Sequence, residues 1–319
     1  MALETTLSAL VQDVYLPMMP QFISNQNPVI EKLWKGGRNM QGGERIRQAI
    51  LYDYQTGEWY TRFSQFTIAG QEIATTAFFD WRFFMMPLVV DGTDVLRISG
   101  PEAFKPIVET TIKAARIAAV KAMTTALYGS GTDSTLEPNS LDHLLDDTSG
   151  TLSGSATCGT IDKGTYTWWG GNAVDGSGAN MSQTLLTTGM IPATDGNIMP
   201  DIILMCPKGF YNWLDDLHSL KRFTGVTAQA GFTTAQFYGA TVIADKNIAD
   251  GADAANRVYM LNSEFIEIVS HSKDNMVMKP FQEPWDQRTL VGKIYWTGGF
   301  TVQRPSYHSV LYNFDNAAA

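Results

Sequence analysis

The side chains with the greatest chemical reach in this 319-residue sequence are four histidines, two cysteines and a set of closely spaced acids. His143, His218, His271 and His308 lie apart from one another and from Cys158 and Cys206, so neither an HExxH pair nor a CxxC pair forms. A zinc site would have to be gathered by folding alone. The expectation is surface or hydrogen-bonded histidines and two reduced, partly buried thiols. Asp142, Asp146 and Asp147 place two carboxylates at i and i+4, a spacing suited to acid–base or metal chemistry, yet a solvated helix face accounts for them. Asp245, Asn247 and Asp250 approach a calcium loop, but Asp250 stands where glycine is needed and no glutamate closes the loop; a turn is expected. Gly292-Lys293 is followed by Ile294 and so lacks the phosphate-loop hydroxyl, Gly176-Ser177-Gly178 lacks the third glycine of a dinucleotide turn, and GxSxG is absent. Trp168-Trp169 can stack a sugar or base, but in a glycine-rich stretch without basic companions the pair is expected to be a packing anchor. No catalytic group, cofactor or metal is expected.

The elements that would have to position such residues come from composition and pattern. Charged residues make 17% of the chain, against about 25% in an ordinary globular protein. With 44% apolar and 11% aromatic residues the chain can bury a large core, which excludes intrinsic disorder. The formal charge of −9 is concentrated in residues 129–200, where Lys163 faces eight acids; residues 31–47 lean basic. Neither block is a nucleic-acid clamp, which needs a basic face. The scarcity of charge and the wealth of aromatics suggest an exterior covered by copies of the same chain. No apolar run reaches the roughly 18 residues of a membrane span, the longest being Phe83 to Val90, interrupted by Pro87. The first residues carry Glu4 and Asp13 and no early Lys or Arg, so synthesis in the cell interior without a signal peptide is expected.

Leu3, Leu7, Leu10, Val11 and Val14 predict a short amphipathic helix, followed by an extended stretch through Pro17, Pro20 and Pro28. Two strands, 45–54 and 73–86, predict a long hairpin whose tip carries Trp59, Tyr60, Phe63 and Phe66, an aggregation liability unless another chain covers it. Pro101 opens a helix that runs to about Gly129, with apolar residues recurring at three and four from Phe104 to Ala126. Residues 130–200 read as loops around short helices. PDIILMCP, KGFYNWLDDLHSLKRF and FYGATVIADKNI then read as buried strand, helix, and strand with turn, and the last sixty residues as β-rich, with Pro305 and a polar tail, NFDNAAA, at the end.

This order, with the segment GTIDKGTYTWWGGN from Gly159 to Asn172, PDIILMCPKGFYNWLDDL, FYGATVIAD and the closing PFQEPWDQRTLVGKIYWTGGFTVQRP, resembles the major capsid proteins of tailed bacteriophages, the Hong Kong 97 type. The resemblance covers nearly the whole chain and rests on the ordering more than on any one motif. It implies an α+β fold with an N-terminal arm (1–40), an extended β-hairpin loop (41–86), a peripheral domain with a long spine helix (87–129), an axial domain (130–255), and peripheral return strands with a C-terminal tail (256–319). It implies a subunit that assembles with itself, as pentamers and hexamers, into an icosahedral shell around double-stranded DNA bound without sequence specificity. A scaffolding protein, a portal and a decoration protein are the further partners it implies. The location implied is the virion, after assembly in the bacterial cytoplasm, with no membrane involved.

Glu58, Trp59, Arg62, Phe63 and Phe66 at the hairpin tip are the expected subunit-interface residues, aromatics and arginine being typical anchors. No lysine occurs between Lys35 and Lys105, so the lysine–asparagine crosslink that some relatives form from this loop is not expected. The arm is short beside the scaffolding segments of some members, so a separate scaffolding protein is expected. Two other readings stand beside this one: an encapsulin-like compartment of similar fold around an enzyme cargo, and an acid–base or metal enzyme using Asp142, Asp146 or His143.

Overall fold

The computed structural model describes residues 28–55, 57–63, 65, 70, 72–91, 101–218, 234–249, 256–285 and 289–315. The expected N-terminal helix, the helix-start signal at Ser99-Gly100 and the last residues of the polar tail lie outside the described residues. No described helix is long and apolar enough to cross a membrane.

In chain order, α1 (Pro28–Lys35) leads into β1 (Arg38–Met40), β2 (Ile46–Leu51), β3 (Ala74–Phe79) and β4 (Arg82–Asp91). Then come α2 (Pro101–Tyr128), α3 (Leu141–Leu144), β5 (Thr157–Cys158), β6 (Ile161–Asp162), β7 (Asn172–Asp175), α4 (Gln183–Met190) and β8 (Ile202–Met205). The remainder is α5 (Pro207–His218), β9 (Thr234–Phe237), β10 (Ala240–Ala244), β11 (Arg257–Leu261), β12 (Ile266–Gln282), β13 (Thr289–Val302) and β14 (Ser309–Tyr312).

Two sheets organise the molecule. The first runs β1-β12-β13-β4, with β12 and β13 as long antiparallel partners and β4 at one edge. The second runs β7-β14-β11-β8-β10-β9 and mixes parallel and antiparallel neighbours. At about 1.5 Å per residue, the 28-residue α2 is a rod of roughly 42 Å. It lies along β4: Ile112, Ala115, Ala119, Met123 and Leu127 on the helix are buried in the same core as Met86, Leu88 and Val90, the inward residues of the alternating strand. The small alanines let the helix approach the sheet closely.

β8 explains why the second sheet reads as a continuous apolar run. Ile202 and Leu204 point into the core shared with α2, whereas Ile203 and Met205 point into a second core with Phe210 and Trp213 of α5 and Leu186 and Met190 of α4. A strand covered on both faces loses the alternation of a half-exposed one.

Three expectations change. The stretch 73–86 is two strands in different sheets: the chain leaves the β2–β3 ladder after Phe79, turns at Asp80-Trp81 and enters the first sheet as β4. The β-rich stretch RVYMLNSEFIEIVS, 257–270 in the last sixty residues, is divided between β11 in the second sheet and the start of β12 in the first. β14, which the sequence pattern alone does not mark, sits inside the second sheet between β7 and β11.

Candidate functional site

The feature that sets this molecule apart from a self-sufficient globule is the segment between β2 and β3. Its root is firmly built. β2 alternates strictly, burying Ile46, Gln48 and Ile50 opposite Phe79, Ala77 and Thr75 of β3. The one polar member of that face, Gln48, is satisfied by Arg38 of β1, whose guanidinium donates to its Oε1 at 3.0 Å and also pairs with Glu267 at 3.1 Å. Partial burial raises the Glu267 carboxyl above its ordinary range, with Arg38 opposing the shift. The turn after β3 is held by an Arg45–Asp80 ion pair at 3.0 Å and by the Trp81 indole, which donates to the Gly43 carbonyl at 2.9 Å.

A second anchor comes from the glycine-rich region. The Phe78 amide donates to the Gly159 carbonyl at 2.9 Å, so the segment after β5 extends the hairpin root. Gly159 has φ +60°, and a Cβ there would lie 3.0 Å from the Phe79 ring and 3.1 Å from the Ala77 methyl, so a side chain at this position would carry backbone strain and press on the buried face of β3. Trp169 is buried and donates to the Cys158 carbonyl at 2.9 Å, while Trp168 stacks on Tyr52 with centroids 4.6 Å apart and rings nearly parallel. The tryptophan pair is thus a packing anchor, as its sequence context implies, and what it anchors is the base of the hairpin.

Beyond Tyr52 and Ile73 the chain leaves the ladder and projects. Glu58, Trp59, Arg62 and Phe63 are all exposed, Trp59 at 104% and Phe63 at 92%, with the Arg62 guanidinium 5.2 Å from the Phe63 ring centroid. Phe66 lies outside the described residues. A second apolar surface is the outward face of edge strand β4, where Phe83, Met85 and Val89 are exposed opposite Thr297, Tyr295 and Val291 of β13. A long apolar edge strand with an exposed face invites pairing or packing with another chain. A third lies at the far end of the second sheet, where Ile191, Met199 and Tyr238 stand exposed around a shallow depression.

The residues considered for chemistry fall elsewhere. Asp142 and Asp146 are not on a solvated face. Asp142 accepts from the Tyr259 hydroxyl at 2.8 Å and pairs with Arg257 at 3.3 Å; burial raises its carboxyl and Arg257 opposes that rise. Asp146 is buried and accepts from the amides of Leu152 (2.8 Å) and Ser153 (2.7 Å) and from the Ser153 hydroxyl (2.6 Å), so it pins a loop. The donors to Asp142 arrive from a distant strand and those to Asp146 from the loop that follows it, which is why helical spacing alone misplaces these acids. Asp245 accepts from the Asn247 amide and from Tyr128, a turn as expected; Asp250 lies outside the described residues. Both cysteines are fully buried, and His308 is buried with Nδ1 accepting from the Asn262 amide at 3.1 Å. The expectation of isolated histidines fails at one place: folding brings His143, Cys158 and Asp133 together, with one ligand atom from each lying within 4.8 Å of the others.

The sequence matches no protein-family model and no curated protein. The fold does match solved structures. The cyanophage A-1(L) capsid subunit superposes with a TM-score of 0.67 over 90% of this chain and 92% of that one, at 16% identity. The encapsulin of the holo-SrpI complex from Synechococcus elongatus PCC 7942 gives 0.60 over 91% and 88% at 10% identity. The capsid subunit of a native GTA particle gives 0.59 over 88% and 89%, again at 10% identity. This chain therefore has the Hong Kong 97-type capsid fold.

Proposed function

We propose that this protein is the major subunit of an icosahedral shell that encloses the double-stranded DNA of a tailed phage, and that it works by self-assembly without catalysis. The observation that carries the reading is the firmly rooted hairpin whose aromatic tip, with Trp59 and Phe63 almost fully exposed, is left uncovered by the described residues of its own chain. A monomer gains nothing from such a projection, whereas a neighbouring subunit would bury it as an interface anchor. In this reading the residues before β1 form an arm, 41–81 the extended loop, and α2 with the first sheet the peripheral part, so that 38–40 and 82–86, expected in the arm and the loop, go with the sheet as β1 and the start of β4. The second sheet, including β11 and β14, forms the axial part. A scaffolding protein, a portal and a decoration protein are its expected partners, the packaged DNA is held without sequence readout, and the virion is its location after assembly in the host cytoplasm.

The similarity to the SrpI encapsulin supports a second reading, a compartment around an enzyme cargo. Negative-stain electron microscopy of the purified protein, alone and co-expressed with the genes beside its own, tests both. Closed shells, tubes or rings of five and six are expected. Shells that carry a co-purifying enzyme in place of DNA would favour the compartment, and uniform monomers under both conditions would refute shell formation.

A further inference from the structure

We propose that Asp133, His143 and Cys158 form a binding site for a divalent cation of the zinc class. The site does not rest on the shell reading, since its three ligands come from one subunit.

The argument starts from the proton count at His143. The Ser153 hydroxyl has one hydrogen, and its short bond to Asp146 at 2.6 Å takes it. The same oxygen lies 3.4 Å from His143 Nδ1, so the imidazole must be the donor there, with its proton on Nδ1. In the neutral ring with that tautomer, Nε2 presents a lone pair. It is fully buried, has no hydrogen-bond partner among the described residues, and points at Asp133 Oδ1 from 3.7 Å. In that tautomer an acceptor faces a carboxylate across a gap too long for a hydrogen bond, and a cation between them would satisfy both. A tetrahedral zinc with Zn–N and Zn–O bonds of about 2.0–2.2 Å separates two such ligand atoms by roughly 3.3–3.6 Å, so the 3.7 Å gap would close only slightly on binding.

The third side chain decides the class of ion. Cys158 is fully buried and its carbonyl is pinned by the Trp169 indole, so the thiol is held against the pair. One nitrogen, one sulfur and one carboxylate suit a borderline-soft ion and not magnesium or calcium, which prefer oxygen alone. Binding as thiolate releases a proton, and the two anionic ligands balance the charge of the ion. The Lys163 ammonium is a cation nearby; it donates to the carbonyls of His143 (2.9 Å) and Asp146 (3.1 Å) and interacts electrostatically with Cys158 and Asp133. Asp133 keeps 29% of its side chain exposed, which leaves an entry path and a position for water as fourth ligand.

The site sits under the hairpin root. Asp133 Oδ2 accepts from the Gly159 amide at 2.7 Å, the Gly159 carbonyl accepts from Phe78 of β3, and Arg82 at the start of β4 donates to the Asp133 carbonyl at 2.6 Å. A bound ion would fasten a loop, α3 and β5 beneath the base of the hairpin.

The test uses the full-length protein, stripped with a chelator and titrated with Co²⁺ and then Zn²⁺. One cobalt per chain with a thiolate-to-cobalt charge-transfer band, displaced by zinc, is expected, together with a rise in Tm on zinc addition. Cys158→Ser should abolish the band, and His143→Gln or Asp133→Asn should weaken binding by about 10-fold or more. No band in the wild type, or a band that survives Cys158→Ser, would overturn the proposal and leave a protonated His143 as the charge facing Asp133. Should the variants fail to fold, zinc-edge X-ray absorption of the wild type decides: one sulfur at about 2.3 Å supports the site, and a shell without sulfur sinks it.

Discussion

Gly159→Ala tests whether the hairpin is rooted as described. Two costs are present at this position. At φ +60° an alanine carries the left-handed penalty of about 1–2 kcal/mol. Its Cβ would also press on the Phe79 ring and the Ala77 methyl at 3.0–3.1 Å, inside a packed face, which adds about 1–3 kcal/mol. The sum is about 2–5 kcal/mol, or a fall in Tm of roughly 3–7 °C for a chain of this size. Gly178 provides the control, because it has φ +69° and a methyl added there would meet no described atom within 4 Å, so it carries the conformational cost alone. The reduced freedom of the unfolded chain is the same for both and cancels in the comparison. Differential scanning calorimetry of the two variants reads the difference directly, and assembly assays of Gly159→Ala report whether a loosened root disables the arm. If Gly159→Ala melts no lower than Gly178→Ala, the packing of the glycine-rich segment against β3 is wrong.

Three further outcomes are expected. Trp59→Ala should leave the subunit's Tm unchanged, because the indole touches little in its own chain, yet raise the protein concentration needed for assembly by about 10-fold or more; normal shells at wild-type concentration would remove Trp59 from the interface. Burial pushes the His308 imidazole down from 6.5 to about 3. The unfolded chain therefore takes up this proton first as pH falls, so the contribution of the neutral ring is complete above 6.5 and is lost progressively toward about 3. Urea midpoints at about pH 7.5 and about pH 5 should differ less in His308→Asn than in the wild type, and an equal or larger difference would count against this site. Denaturing gels of heated particles should show single chains, since residues 36–104 contain no lysine; a covalent ladder would contradict this.

Where the sequence is readable, one element carries its own signal. The spacing of Ile112, Ala115, Ala119 and Met123 marks α2 because a helix's buried stripe is set by its own period. The run from Ile202 to Met205 marks β8 because both of its faces are covered. Where the reading fails, the information lies in pairings between distant segments. Ser309–Tyr312 is four residues long and becomes a strand only by lying between β7 and β11. Asp142 looks solvated until Arg257 and Tyr259 are brought to it. Asp133, His143 and Cys158 fit no spacing rule, since each arrives on a separate loop or short element. At the hairpin the residue types announce exposure, and the described tip residues Glu58, Trp59, Arg62 and Phe63 are exposed; which surface covers them is a property of a second chain and is not written in this one.

The place of β14 bears on the timing of synthesis. Among the described residues β7 pairs only with β14 in the second sheet, and β14 in turn separates it from β11. A ribosome must therefore deliver the chain as far as Tyr312 before the sheet can close, at a pace of roughly 5–20 residues per second. Until then β7 and β11 each present an open flank, and the emerging polypeptide stays unfinished in a region that is made well before the end. The second sheet therefore closes only once β14 has been made, however much of the sheet precedes it.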